Sequence, residues 1–563
     1  SKSPFEYKGL SFNTKLGMNH FDSAVESDPQ LYQSYDLRYA DSFNDKIAFK
    51  ITASYLRAKD FVGQDTRDQS FLTGGVVERG VTERNGARVY NGVNIYGDDV
   101  FTLGSIADGV IAGGGAQGAQ VAALRSLIPD GQAGAFSAPG FSENSYVDNT
   151  TESLKLGAAL HYRLTDNYEV LAQYNTGFGS TVYTANDRFV LDDFNIWTAK
   201  LELRNPNFFL RAYTTQEDAG DSYAANTVAT RINQAVYLTP YFQTFLGART
   251  QGASVEQAHA AAQQTATANQ QNNLPGSENF KTLMKDLRSK SISNGGALFV
   301  EKSDMYHVEG LYNFSNVIDP EKVELIGGVN YRLYDLNSEA TLFALDNNGD
   351  EYDGYLQATK SLLDEDLTLS GSVRYDKNEY FEGQFSPRVS AIYTLADRHN
   401  FRASFQNGFR MPTTQDQFIK LDVVTRLLIG SNQDLVDRYR FETNTVYSAQ
   451  SVAAAQSVFN AGGTSASARA ELEAVEFDDF KTEKISTYEF GYKGFLTDRL
   501  LVDAYYYYSK YTDFIAEIQF VQGVPNGLTQ DPGAFNANSD AGKDDIIQGG
   551  VVTQEYGFDV NAE

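Results

Sequence analysis

The fold class that the sequence predicts is all-β: a transmembrane antiparallel β-barrel with long extracellular loops. Three observations carry this prediction. Apolar and polar residues alternate with a period of two, as in Ile47, Phe49, Ile51, Ala53 and Tyr55 set against Lys50, Thr52 and Ser54, so one strand face seeks an apolar medium and the other water. Turns of a few residues alternate with connections of many tens, the asymmetry of outer-membrane barrels. No run approaches the roughly 20 apolar residues of a spanning helix.

The strands can be justified in order. After the Ile47 strand, Leu154, Leu156, Ala158, Leu160, Tyr162 and Leu164 oppose Lys155, Gly157, Ala159, His161 and Arg163. A turn at Thr165, Asp166 and Asn167 returns the chain through Tyr168, Val170, Ala172 and Tyr174, with Glu169 and Gln173 on the other face. Trp197, Ala199, Leu201 and Leu203 alternate with Thr198, Lys200, Glu202 and Arg204, and Asn205 and Pro206 turn into Phe208, Leu210 and Ala212. Comparable pairs flank Asp364 to Asp366, Asp397 to His399 and Thr497 to Arg499. The tally is about fifteen strands of about ten residues or more, long enough to cross a bilayer at a tilt.

Composition agrees. A mean hydropathy of -0.39 suits a barrel, in which only alternate strand residues face lipid. The chain has 35 Tyr and 37 Phe but one Trp, and Tyr505 to Tyr508 with Tyr511 are expected in an interfacial girdle. There is no cysteine. A formal charge of -27 excludes a nucleic-acid partner, whose phosphates need a basic surface. Acidic clusters at Asp346, Asp350, Glu351 and Asp353, and at Glu471, Glu473, Glu476, Asp478 and Asp479, are expected in solvated loops beside a lipid bilayer and lipopolysaccharide.

Three long insertions interrupt the strands, at about 57–149, 216–296 and 410–480. The first carries a Gly- and Ala-rich run, the second an Ala/Gln tract from Ala253 to Ala268 with helical propensity and no hydrophobic face, and the third two short helical stretches, Val452 to Val458 and Ser465 to Val475. Between barrel strands they are recognition loops, and Tyr223, Tyr237, Tyr241 and Phe242 are candidate ligand-binding aromatics. The chain begins at Ser1 without a secretory leader and ends at Glu563 in a polar stretch, and an odd strand number does not close a bacterial barrel. Both ends are expected to lie within a longer protein.

The stretch Phe385 to Thr394, with Ser386, Pro387, Arg388 and Val389, continues through His399 to Phe405 and Gly408 to Pro412. With Tyr488, Glu489, Phe490, Gly491, Tyr492, Lys493 and Gly494, it resembles the barrel of TonB-dependent outer-membrane receptors. The opening, Ser1 to Tyr7 with Gly9, and Phe43 to Lys46 resemble the Bacteroidota branch of that family. The resemblance implies a 22-stranded barrel in the outer membrane of a Gram-negative bacterium, of which about seven strands would follow Glu563. It also implies an N-terminal plug, with import powered by the TonB complex. No part of the sequence resembles the plug or the TonB box.

Residues inferred to face the lumen and such a plug carry both signs: Arg163, Glu169, Lys200, Glu202, Arg204, His307, Glu309, Glu324, Arg332, Arg374, Arg388, Arg402, Glu489 and Lys493. They can hydrogen-bond a plug or simply line a watery pore. Catalysis has no support: His20, His161, His259, His307 and His399 are scattered without ligand spacing. Asp346 to Glu351 is a poor calcium loop, because Glu351 stands where glycine is needed. No metal or cofactor is implied. The expected function is import of a scarce solute (siderophore, glycan, peptide or vitamin). The alternative is a structural subunit whose loops dock a surface lipoprotein lid or other partner.

Overall fold

The computed structural model describes residues 3–19, 29–69, 83–184, 188–343, 348–422, 426–477, 479–524, 536–548 and 552–562. His20, Asp346, Asn347 and Asp478, singled out above, lie outside the described residues. Fifteen long strands form one antiparallel wall, each paired with its neighbours in sequence. They are β1 (Gly9–Asn19), β2 (Gln30–Ser42), β3 (Ile47–Lys59), β4 (Thr150–Arg163) and β5 (Glu169–Thr184). Then come β6 (Arg188–Arg204), β7 (Phe208–Asp218), β8 (Asp304–Asn313), β9 (Glu324–Asp335) and β10 (Asn348–Leu362). The wall ends with β11 (Leu367–Asn378), β12 (Gln384–Leu395), β13 (His399–Arg410), β14 (Glu483–Thr497) and β15 (Leu500–Thr512). The short strand Tyr223–Ala224 adds to β6. β16 (Phe514–Val524) and β17 (Val552–Ala562) leave the wall and pair with each other and with short strands of the 411–482 connection.

The pairing follows the period-two pattern. Ile47, Phe49 and Ile51 stand opposite Tyr162, Leu160 and Ala158, and Leu201 lies between Ala172 and Ala212. Ile51, Leu160, Leu201, Leu210, Val329, Val389 and Phe490 are exposed on this outer face, as an apolar band meeting lipid must be. A one-residue slip would turn that set inward. Lys50, His161, Glu202 and His307, on the concave inner face, are buried.

The turns 164–168, 205–207, 363–366, 396–398 and 498–499 lie at one end of the wall, and the short connection 379–383 lies at the other. In the 396–398 turn Ala396 and Asp397 both have positive φ, 53° and 54°, as primed hairpin turns require. The long connections 60–149, 219–303 and 411–482 lie at the other end. The second runs to Ser303 rather than to about 296. Residues just after Gly296 pair with the connection itself, through bridges from Leu298 to Tyr223 and Ser291.

These connections are folded. The first contains α1 (Leu103–Ala112) and α2 (Gly115–Leu124); the second contains α3 (Ala225–Asn233), α4 (Thr239–Thr250), α5 (Val255–Gln271) and α6 (Glu278–Arg288). They share a core in which Leu103, Val121 and Phe136 of the first pack with Tyr241, Phe245 and Ala262 of the second. Ser254 and Gln257 form a capping box that starts α5. Its Ala258, Ala262 and Ala266 recur every four residues on one fully buried face. The expectation of no hydrophobic face was therefore wrong: the face consists of alanines, which let α4 approach closely. In the third connection α7 (Ala449–Asn460) forms as expected, while the helix from Ser465 stops at Arg469 because the chain returns to bridge Tyr447 through Ala474.

Candidate functional site: the inner wall and its mouth

Strand register places most of the predicted lumen residues in contact with one another. Near the short-turn end, Glu169 stands opposite both Arg163 and Arg204. Its Oε1 receives His161 Nδ1 at 2.6 Å and Arg204 Nη2 at 2.8 Å. Glu202 collects Lys200 at 3.3 Å, Arg204 at 3.7 Å and Arg211 at 3.8 Å. Arg211 then pairs with Glu309 on the next strand. Further round, Arg402 lies 3.5 Å from both Glu489 and Asp503, and Lys493 lies 3.3 Å from Asp503. Gly491, opposite Arg402 in register, leaves the space that the guanidinium fills. Each such pair contributes about 0.2–1 kcal/mol, but together they make a polar ladder from His161 to Glu309 and a separate cluster around Arg402 and Asp503, each with its charges matched. Arg163 turns away to sit 3.9 Å over the Phe5 ring. Arg388, opposite Ser372 and Gln406, and Glu324, opposite Thr359, are exposed on the same face.

A second group lies at the long-connection end. Arg332 reaches Glu351 at 3.3 Å, and Arg374 reaches Asp353 at 2.9 Å and Asp376 at 2.8 Å. Over these side chains passes the segment 411–418, tied to the neighbouring connection by the Phe343–Ile419 bridge and by Lys420 N donating to Leu342 O at 2.8 Å. Wall and segment enclose a cavity of about 460 Å³. Asp350, Glu351 and Asp353, expected in an acidic loop, belong to β10 with Glu351 and Asp353 on its inner face. The extended backbone that pairs with β9 cannot wrap an ion, which removes the calcium-loop reading.

The four loop aromatics are corrected. Tyr223, Tyr237, Tyr241 and Phe242 are all buried. Tyr237, Tyr241 and Phe245 recur every four residues on the helical turns facing α5. The Tyr241 ring stacks on Phe136 at 4.1 Å and shares a 2.8 Å hydrogen bond with His259 Nδ1. Burial pushes the Tyr241 phenol upward and that of Tyr223 up to about 12, and it lowers the His259 imidazole below its ordinary value. With no face open to solvent, these rings pack the connections together. The tyrosine girdle is also divided: Tyr506 and Tyr508 pair with the outer-face Phe490 and Tyr488, whereas Tyr505, Tyr507 and Tyr511 fall on the inner face and in the body of β15.

Sequence reading missed Arg211 and Asp376, which the alternation in β7 and β11 could have supplied. It also missed Gln417, which reaches the wall only because its connection folds back, and no local pattern signals that.

The polar inner wall, apolar outer band and one-sided long connections define an outer-membrane β-barrel. Residues 173–562 match the family described as TonB dependent receptor-like, beta-barrel. The chain belongs to that family, and its place is the outer membrane of a Gram-negative bacterium. No curated protein matches the sequence. Among solved structures, it is similar to the siderophore receptor PirA from Pseudomonas aeruginosa at 10% identity and a TM-score of 0.43, covering 93% of this chain and 62% of that one. A mutant of the ferric enterobactin receptor PfeA from the same organism gives 9% identity, a TM-score of 0.44 and coverages of 91% and 58%. The outer membrane transporter YddB from Escherichia coli gives 8%, 0.42, 98% and 55%. The chain thus spans between 55% and 62% of the length of these structures.

Proposed function

We propose that the protein imports a scarce solute across the outer membrane, using energy delivered by the TonB complex through a plug held in the barrel. The folded connections face the outside and receive the solute. The inner wall carries this reading: its charges are already paired with one another through His161, Glu169, Arg204, Glu202 and Arg211. A plug seated there exchanges hydrogen bonds with a balanced surface and can leave without stranding a buried charge. Lipid and lipopolysaccharide meet the outer band, and a surface lipoprotein would meet the connections.

The test compares nutrient-limited growth of three strains: wild type, one lacking this protein, and one lacking the inner-membrane energising complex. The same growth defect in both deletion strains is the expected result. A defect only in the strain lacking this protein would make the barrel a passive pore, and no defect in either would leave a structural role.

A further inference from the structure

The outer face of the wall is electrically uneven at its long-connection end. On β7 to β10 the positions above the apolar band carry Asp218, Asp304, Asp335 and Asp350, and Asp304 faces Asp335 directly in register. On β14 and β15 the corresponding positions carry Lys484, Ser486, Lys510 and Thr512. Lys484 stands opposite Thr512 and Lys510 opposite Ser486, so the two lysines are diagonal neighbours about 7–8 Å apart, close enough for both ammonium groups to reach one anion. Both are exposed, and neither forms an ion pair among the described residues. The carboxylates of the same strands, Glu483, Glu489 and Asp503, point inward and meet Arg410, Arg402 and Lys493, and β13 contains no carboxylate. In a chain of net charge -27, an outer sector with cations and no acid calls for an anionic neighbour. Directly beneath it, Tyr488 faces Tyr508 and packs its ring 4.9 Å from that of Phe405, and Phe490 faces Tyr506. Tyrosines on a lipid-facing surface mark the headgroup level, so the lysines project into the headgroup layer with their stems along the rings.

We propose that Lys484 and Lys510 bind a phosphate of lipopolysaccharide and so fix one lipid molecule at the β14–β15 sector. Two ammonium groups supply charge-assisted hydrogen bonds to phosphate oxygens, and the exposed Thr512 hydroxyl adds a donor. The acyl chains lie on the outer-face rings of Tyr488, Tyr508, Phe490 and Tyr506, all of them exposed. The aspartate sector around Asp304 and Asp335 repels the same phosphate unless a divalent cation intervenes, so the direct contact belongs to one side of the wall. This inference rests on the outer-membrane placement and on the connections facing outward, not on import itself, and the growth comparison above can fail without touching it.

Native mass spectrometry of the full-length receptor, solubilised in an amine-oxide detergent, tests it. The probes are diphosphorylated lipid A and the same lipid stripped of both phosphates, each titrated with EDTA present. The wild type should retain one phosphorylated molecule about tenfold or more tightly than the stripped one. Lys484→Ala combined with Lys510→Ala should abolish that preference, Lys484→Arg with Lys510→Arg should keep it, and Asp304→Asn with Asp335→Asn should leave it unchanged. Heat-modifiable migration on gels checks that each variant is a folded barrel. Equal binding of the two lipids, or a preference that survives the alanine pair, would overturn the proposal. Binding seen only without EDTA would also overturn it, because a divalent cation on the aspartates would then be the contact. A receptor dimer that dissociates in the alanine pair would do the same by assigning the lysines to a second copy of the chain.

Discussion

The wall and the folded connections at its mouth bury their side chains by different rules. In the wall, each residue's surroundings follow from its parity on a strand and from the residue opposite, as with Glu202 and Arg211. In the connections, cores join residues more than a hundred positions apart, such as Phe136 with Tyr241 and Gly97 with Ala229. The wall therefore has redundant support from neighbouring strands, whereas each half of the loop core depends on the other. The two regions should fail separately.

Removing residues 220–302 makes the strongest test. Gln216 and Asp304 are register partners, so a short turn can rejoin β7 to β8. Such a deletion removes α3 to α6 and exposes Leu103, Val121 and Phe136 in the first connection. Heat-modifiable migration on gels should persist, showing an intact barrel, while residues 83–149 become sensitive to protease on whole cells and uptake is lost. Loss of the barrel as well would show that wall and connections form one cooperative unit. Tyr241→Ala should act in the same region with a smaller effect. It deletes a buried ring and its bond to His259, a loss of about 3–5 kcal/mol. Tyr241→Phe should lose only about 1 kcal/mol. Protease resistance of the first connection against denaturant distinguishes them, and equal effects would mean that the ring is not what joins the two halves.

How much of each region the sequence reveals follows from the same contrast. The strand tally, the turns and the charged inner face were legible because a strand's environment repeats every two residues, so Leu201 and Glu202 announce their opposite faces. The loop core was not. Ala258, Ala262 and Ala266 carry no amphipathic signal of their own and become a packing face only against α4. Tyr237 and Tyr241 looked like exposed recognition residues because nothing local shows that Leu103 and Phe136 of the first connection come back to share a core with them. The mouth cavity was half legible: His307, Arg332 and Arg374 follow from strand parity, while Gln417 depends on the fold of a connection.

Within the wall, Glu202→Gln probes the ladder. The amide keeps the shape but leaves Lys200, Arg204 and Arg211 without their shared counter-charge. A fully buried broken pair costs about 3–5 kcal/mol, but these guanidiniums are about a third exposed, and solvent screening should reduce the loss to about 1–2 kcal/mol. Denaturant unfolding of the barrel at low and high salt provides the measurement, with the gap between wild type and variant narrowing as salt rises. A gap independent of salt would mean that shape, not charge, matters at Glu202.

The smallest expected effect is a pH dependence confined to the connections. His259 is buried, shares a hydrogen bond with Tyr241 and has its Nε2 2.8 Å from Ala133 O, and burial lowers its pKa in the folded protein. The unfolded chain therefore takes up a proton that the folded chain resists as pH falls below about 6.5. The stability contributed by the neutral imidazole is fully present above that pH and is lost on acidification toward the folded value. Asp98 and Asp99, whose pKa values burial raises, act in the opposite direction, so the total slope mixes several groups. The difference between wild type and His259→Asn isolates the histidine. Protease resistance of residues 83–149 in the two proteins should converge as pH falls from 7 to 5, with barrel migration unchanged in both. A constant difference across that range would show that His259 supports the core by packing against Phe245 rather than by resisting protonation.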